Sequence, residues 1–379
     1  MNRPAYDLSD EQVQFRDVIE AYLRKSYGED ARRLIAATRL GYSRDVWREL
    51  AQDIGIFGMG FGESHGGYDG TALSQVPIME ALGHALLLEP YLETVVLCGS
   101  ILTHCDGPRA AALIEQIIGG EARLALAHLE TTRWAMAPRI TANAVPIDGG
   151  YRLSGRKTVV MAAPWADNII FVAHDSEGIA IFDVAGKSPG LHLEAFQTID
   201  GRRAADLELV DVEVDAKACL LRGAAAEAAL AEAYQRSILA ICAEAVGIMR
   251  RLVADTRTHL VERRQFGVPL ASFQVLQHRL ADILIALETS SAMVFCAAGA
   301  IDLGAKDRQQ TISAAKAYIG RAVHRSAQAA VQMHGGMGMT DALFIGQLFK
   351  RAVAIEAQFG STEHHVRQFQ VLRRTDLAV

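Results

Sequence analysis

The sequence is poor in the features that announce a disulfide scaffold, a metal site or a membrane protein. Its 379 residues hold five cysteines (Cys98, Cys105, Cys219, Cys242 and Cys296), dispersed and without a CxxC pair. An odd, scattered set argues against a disulfide framework or a zinc ribbon and reads as free core thiols in a reducing compartment. The first residues, MNRPAYDLSDEQ, contain no apolar signal core, and no uninterrupted apolar run approaches the length of a bilayer span. These absences predict a soluble, cytoplasmic protein with no membrane partner. Positive charge is not in excess either: 38 Lys and Arg stand against 44 Asp and Glu, a formal net charge of -6. That argues against general nucleic-acid binding but leaves room for a local cationic site for a phosphate-bearing small molecule. Phosphate-loop signatures are also missing. The glycine-rich GMGFGESHGGYDG, residues 58–70, lacks the GK[ST] of a P-loop, and no strand–GxGxxG–helix unit occurs. The glycine run is expected to be a plain turn between helices.

Half of the residues are hydrophobic, enough for a sizeable core in more than one layer. Helices are predicted over about 9–26, 43–54, 72–86 and 107–118, the first opened by Ser9 and Gln12 in capping-box spacing. Near residue 122 the pattern changes to short alternating or apolar runs broken by turns, such as YRLSGRKTVV, NIIFVAH and GIAIFDV. From about 224 the chain reads as helical again. Residues 225–262 hold no proline and one glycine, Gly247, and are predicted to form one long helix. A second helix is expected from an N-cap at Ser272, its apolar face formed by Phe273, Leu276, Leu280, Ile283, Leu284 and Leu287. A third runs from about 307 to 333 and a fourth from about 341 to 358; small residues on the third permit close packing, including against another subunit. The expected fold is α+β: an N-terminal helical domain (1–120), a middle β-domain (121–223) and a C-terminal four-helix bundle (224–379).

Two segments carry the candidate chemistry. ERRQFGVPLASFQVLQHRLAD, residues 262–282, turns a corner between two helices with an arginine pair on it. Arg263, Phe266 and a helix presenting Gln274 and Gln277 on successive turns suit an anionic, aromatic ligand, because a guanidinium binds pyrophosphate at two points and a phenyl ring stacks on a ring system. QMHGGMGMT, residues 332–340, places Gly335 and Gly336 after a helix, where they serve either as a C-cap or as a close backbone approach to a ligand.

In this order the two segments resemble the acyl-CoA dehydrogenase family, with its RxxFG-x5-FQ corner and later QxxGGxG turn, and the resemblance covers the whole chain. It implies FAD held between subunits of a homotetramer or an α2β2 heteromer and an acyl-CoA substrate. Carried over by motif, Arg263, Phe266, Gln274 and Gln277, with Gln332, Gly335 and Gly336, grip the cofactor held mainly by a neighbouring subunit. The family's base is usually a glutamate before Gly-Thr; here AIEAQFGSTEHH puts Phe359 in that place, and the alternative position on the long helix is Ser237. Glu363 and Glu244 are the remaining carboxylate candidates for the base. The β-domain departs as well. Val159 and Met161 stand where the family has the tryptophan and threonine of its WITN-like segment, so hydroxyls for the flavin ring are absent, and Trp134 and Trp165 are the aromatic residues nearby. The cross-subunit grip is thus kept while the chain's own flavin pocket is degraded. This predicts a subunit of a heteromer whose partner supplies the base for α,β-desaturation, a type of assembly that in the family often serves fatty or steroid side-chain thioesters. The alternatives are a self-sufficient homotetramer with a relocated base, a related flavin oxidase or monooxygenase, and a non-catalytic acyl-CoA-binding scaffold.

Overall fold

A computed structural model describes residues 8–131, 140–340 and 343–377. Its helices are α1 (Asp10–Ser26), α2 (Glu29–Ala37), α3 (Arg44–Gln52), α4 (Ala72–Ala85), α5 (Gly99–Leu102), α6 (Pro108–Ile118), α7 (Gly223–Glu262), α8 (Gln274–Asp302), α9 (Arg308–His334), α10 (Ile345–Ala357) and α11 (Thr362–Leu377). The strands are β1 (Leu124–Ala127), β2 (Asn143–Ile147), β3 (Gly150–Met161), β4 (Asn168–Asp175), β5 (Gly178–Ala185), β6 (Leu191–Gln197), β7 (Arg203–Asp215), β8 (Cys219–Arg222), β9 (Arg264–Gln265) and β10 (Val268–Pro269). The architecture is an N-terminal helical region, a central sheet and a C-terminal helical bundle, as the patterning predicts. Packing groups the chain out of sequence order into two compact units: residues 1–31, 72–87 and 238–379 form one, and 32–71 and 88–237 the other.

The first unit is helical. Ser9 caps α1 by accepting from the Gln12 amide while the Gln12 side chain accepts from the Ser9 amide, the reciprocal arrangement its spacing predicts. The N-terminus of α4 is capped from far along the chain: the Asp302 carboxylate at the end of α8 accepts from the amides of Ala72 (2.7 Å) and Leu73 (3.0 Å). α4 and α7 approach so closely that a Cβ on Gly83 would lie 2.2 Å from the Glu244 carbonyl, and one on Gly247 would lie 1.9 Å from the Glu80 carbonyl. Gly247, the interior glycine of the long helix, is therefore a crossing point. α8 revises the expectation drawn from apolar runs. By length and composition it could cross a membrane, and only 33% of its most apolar stretch is buried within the chain. Its inner face (Ile283, Leu287, Val294, Ala297) is buried, as in a bundle helix. Ser272 is not its cap; Ser272 lies in a 3-10 turn, and Phe273 occupies the cap position without a side-chain bond.

The second unit is built on an eight-stranded sheet of order β6-β7-β3-β2-β4-β5-β8, with β1 added parallel to β4. β3 and β7 pair antiparallel along most of their length, with register breaks between Leu153 and Gly155 and between Lys157 and Val160. The glycine-rich 58–70 segment forms short 3-10 turns, as expected. α2, the π-helical turn Leu92–Cys98 that leads into α5, and strands β2, β6 and β8 go beyond what the patterning predicts. β6 is exposed along nearly its whole length, so it lacks the alternation that marks a strand.

The glycine crossing yields a test. Gly→Ala inside a helix normally gains about 1 kcal/mol. Gly247→Ala instead should cost about 1–3 kcal/mol, because the methyl would overlap the Glu80 backbone; urea denaturation reads the sign directly.

Candidate functional site

The predicted corner is a two-residue hairpin. α7 ends at Glu262, Gln265 pairs with Val268 and Arg264 with Pro269, and Phe266 and Gly267 make the turn with φ of 53° and 80°. Left-handed backbone at both central residues is the type I′ geometry that suits the twist of a hairpin. Glycine takes it freely; a phenylalanine does so only under strain. Phe266 is 90% exposed, touching Phe273 edge-on at a centroid distance of 6.2 Å. Arg263 lies beside it, exposed, its amide donating to the His259 carbonyl. Gln274 is exposed at the first position of α8, whereas the Gln277 side-chain amide donates to the Ala271 carbonyl (2.8 Å) and helps close the corner itself.

The structure joins this corner to the second segment. Leu260 at the end of α7, Ile283 on α8 and Met333 at the end of α9 form a buried apolar cluster, with Leu270, Leu276, Leu280 and Ala329 packed around it. The imidazoles of His259 and His334 stack at 4.3 Å, each about one turn or less from a predicted ligand residue. Burial, together with His334 and Arg263, holds His259 below the usual histidine range. Gln332 is exposed on the last turn of α9. Gly335 adopts φ 62°, ψ -145°, a conformation open in practice only to glycine. Gly336 needs no such backbone, and a Cβ there would meet nothing within 4 Å. Nothing among the described residues requires a glycine at 336.

The position of the family's usual base carries a buried phenylalanine in a firmly held loop. Phe359 is 4% exposed with φ 58°. The Lys316 ammonium donates to the carbonyls of Ile355, Glu356 and Gly360 at 2.9–3.1 Å, satisfying the C-terminal end of α10. Burial draws this lysine down to about 8. His365 donates from Nε2 to the Phe359 carbonyl (2.8 Å), and Glu356 caps α11 by accepting from the Thr362 amide. Burial lowers His365 to about 4.

Neither carboxylate candidate has the setting of a base. Both oxygens of Glu244 accept from Arg351, at 2.7 and 2.6 Å, and both residues are 2% exposed. Glu363 lies on the exposed first turn of α11. Its own amide and the Ser361 hydroxyl hold its carboxyl below the usual range, which weakens it as a base. The Ser237 hydroxyl is fully buried and has no hydrogen-bond partner among the described residues.

In the sheet unit, Val159 sits at a register break with φ 51°, its amide donating to Asp206 (2.8 Å). Glu130 is occupied by Lys157 (2.7 Å), Thr141 and the Ala142 amide. Trp165 donates to the Leu40 carbonyl and packs on Tyr42, a core role; Trp134 lies outside the described residues. Sequence reasoning misses Arg351, Lys316 and the His259–His334 stack. The one available signal is a lysine on the apolar stripe of α9, within AAKAYIG.

Two tests follow. Glu244→Gln leaves the Arg351 charge buried and uncompensated and should cost about 3–5 kcal/mol in denaturant unfolding. A catalytic residue would instead lose activity at unchanged stability. His365 favours the neutral form when folded, so unfolding takes up a proton between its folded value of about 4 and the ordinary histidine value of 6.5. Stability therefore falls as pH drops through that window, and His365→Asn should flatten the slope of the urea midpoint there.

Sequence and structure comparisons agree with this layout. The acyl-CoA dehydrogenase N-terminal domain matches residues 9–121 and the acyl-CoA dehydrogenase C-terminal domain matches residues 224–371. The acyl-CoA dehydrogenase FadE27 of Mycobacterium tuberculosis is 30% identical over 334 residues, 86% of this chain and 87% of that one. The ChsE4-ChsE5 complex from Mycobacterium tuberculosis superposes with a TM-score of 0.87 at 26% identity, over 96% of this chain and 97% of that one. The Tcur3481-Tcur3483 steroid ACAD gives a TM-score of 0.88 at 25% identity, over 98% and 99%. The chain belongs to the acyl-CoA dehydrogenase family.

Proposed function

We propose that this chain is a subunit of an FAD-dependent acyl-CoA dehydrogenase. It would work in an α2β2 tetramer, in the cytoplasm, with a second family member that holds the flavin ring and supplies the base. The observation that carries the reading is Phe359: a phenyl group, buried in an otherwise well-braced loop, stands where a carboxylate must take the α-proton of the thioester. The similar ChsE4-ChsE5 structure is a complex of two differently named chains, and the Tcur3481-Tcur3483 assembly is described as a steroid enzyme. Both favour a heteromer, and the second favours a bulky acyl-CoA such as a steroid side-chain thioester.

The residues present fit one half of a flavin dinucleotide. At the corner, Arg263 would hold the pyrophosphate, Phe266 and Gln274 would meet the adenosine side, and the open backbone of Gly335 and Gly336 would accept close approach beside Gln332. Phe266 projects so fully into solvent that its natural contact is with another molecule. The ring half does not fit: Val159 and Met161 offer no hydroxyl, and Glu130 and Trp165 are committed to structural bonds. Bound in the complex, FAD would supply a two-electron acceptor for the desaturation. What this chain contributes is grip and orientation at the far end of the cofactor.

The visible spectrum of the purified chain, alone and co-expressed with a partner dehydrogenase, tests the reading. A colourless single chain and a yellow complex with about one flavin per pair of chains are expected. A yellow single chain with a full flavin complement would overturn it. In the complex, Arg263→Ala should lower flavin retention; an unchanged flavin content would remove the corner from the cofactor site.

A further inference from the structure

The stacked imidazoles of His259 and His334 join the two halves of the corner, yet neither is among the residues that would grip the flavin. His259 lies one helical turn before Arg263, so the two side chains share a face at the end of α7. His334 is the last residue of α9 and directly precedes Gly335 and Gly336. The rings lie 4.3 Å apart with 26° between their planes. His334 is 8% exposed, and its Nδ1 is paired with the Ala330 carbonyl at 2.9 Å. Among the described residues the remaining ring nitrogens of the pair have no hydrogen-bond partner. Two hydrocarbon rings would serve packing as well; two imidazoles bring polar nitrogens that the chain itself leaves open. The ionisable groups acting on His259 are His334 from α9 and Arg263 and Glu262 from its own helix end. The α8 residues packed on the adjoining cluster, Leu276, Leu280 and Ile283, are apolar.

Given the flavin reading, on which this rests, we propose that His259 is a further cofactor-binding residue of the corner, which takes up a proton when the phosphates of the dinucleotide bind beside Arg263 and then acts as a second cation toward them. The forces on the ring are opposed. Burial, the facing His334 ring and the Arg263 charge keep it neutral in the open corner. Its place in the last turn of α7, and that of His334 at the end of α9, favour a cation, because the carbonyl ends of both helices point there. A phosphate brought to Arg263 cancels that repulsion and adds its own attraction, so the balance tips toward the imidazolium. His334, tied to the Ala330 carbonyl, is a positioning residue: it holds the His259 ring flat between the arginine and the glycine turn. The sign of the linkage follows. The open corner holds His259 below the ordinary 6.5, and the occupied corner raises it. Binding therefore takes up a proton, and affinity rises as pH falls through that window and levels off on either side.

The test is calorimetric titration of the flavin-depleted complex with FAD over about pH 5 to 8, in buffers of different ionisation enthalpy, with flavin fluorescence as an independent readout of binding. FAD should bind more tightly toward low pH, by up to about tenfold per pH unit for one proton, and the heat should vary with the buffer as proton uptake requires. His259→Phe keeps a ring on the stack and removes the proton site, so both the pH slope and the buffer-dependent heat should vanish. His259→Lys fixes the cation; the slope should vanish again, with the affinity at the alkaline end raised toward the wild-type affinity at the acid end. An affinity in the unaltered complex that does not change with pH, or proton uptake retained in His259→Phe, would overturn the proposal. Arg263→Ala separates the two levels. Flavin retention lost in Arg263→Ala while His259→Phe keeps its proton uptake refutes the histidine assignment alone, whereas retention unchanged in Arg263→Ala refutes the flavin reading beneath it.

Discussion

The bidentate pair between Arg351 and Glu244 ties α10 to α7 inside the helical unit, at a depth where neither charge could survive alone. Much else follows from that tie. α7 is pressed against α4 closely enough that only glycine fits at Gly83 and Gly247. α10, held on the other side, ends in carbonyls that need a donor, and Lys316 supplies it from α9 at the expense of burying an ammonium group. The loop that follows is thereby fixed, with Phe359 in a left-handed conformation and its carbonyl held by His365. A charge pair, a lysine cap and a histidine together brace a turn that presents no reactive group.

This combination is informative about function. The loop is held at several points, yet its buried tip at Phe359 carries no ionisable group. The corner between α7 and α8 shows the converse. Phe266 is strained and exposed, Gly336 has no internal reason to be glycine, and an apolar cluster together with a histidine stack holds both segments in one place. Strain and openness on a rigid base are what a site for an external molecule requires. The sheet unit spends its polar groups internally instead, with Glu130 and Lys157 satisfying each other and Val159 bonded to Asp206.

Much of this is legible in the amino-acid pattern alone. The helical periods of α1, α3, α4, α6, α7 and α9 are clear because each is bounded by recognisable ends or runs long without a breaker, as with the Ser9–Gln12 box and Gly335. The π-helical turn before α5 is not, since it is buried all round and has no polar face to set a period. β6 escapes because an exposed edge strand need not alternate. At the site, Arg263, Phe266, Gln332 and the glycines stand out by motif. The internal partners of Glu244 and Glu130 do not, because pairing between residues far apart in sequence leaves no local pattern.

The sequence by itself determined the family, the α+β order of elements, the arginine–phenylalanine corner between two helices and the phenylalanine at position 359. Those are properties of residue type and spacing, and they survive any packing. Only the tertiary structure decided which charges are committed and which are open. It bound Glu244 to Arg351, capped α10 with Lys316 and stacked His259 on His334. A charged side chain looks the same in sequence whether it is buried against an opposite charge or exposed to solvent; burial and the distance to an opposite charge make the difference.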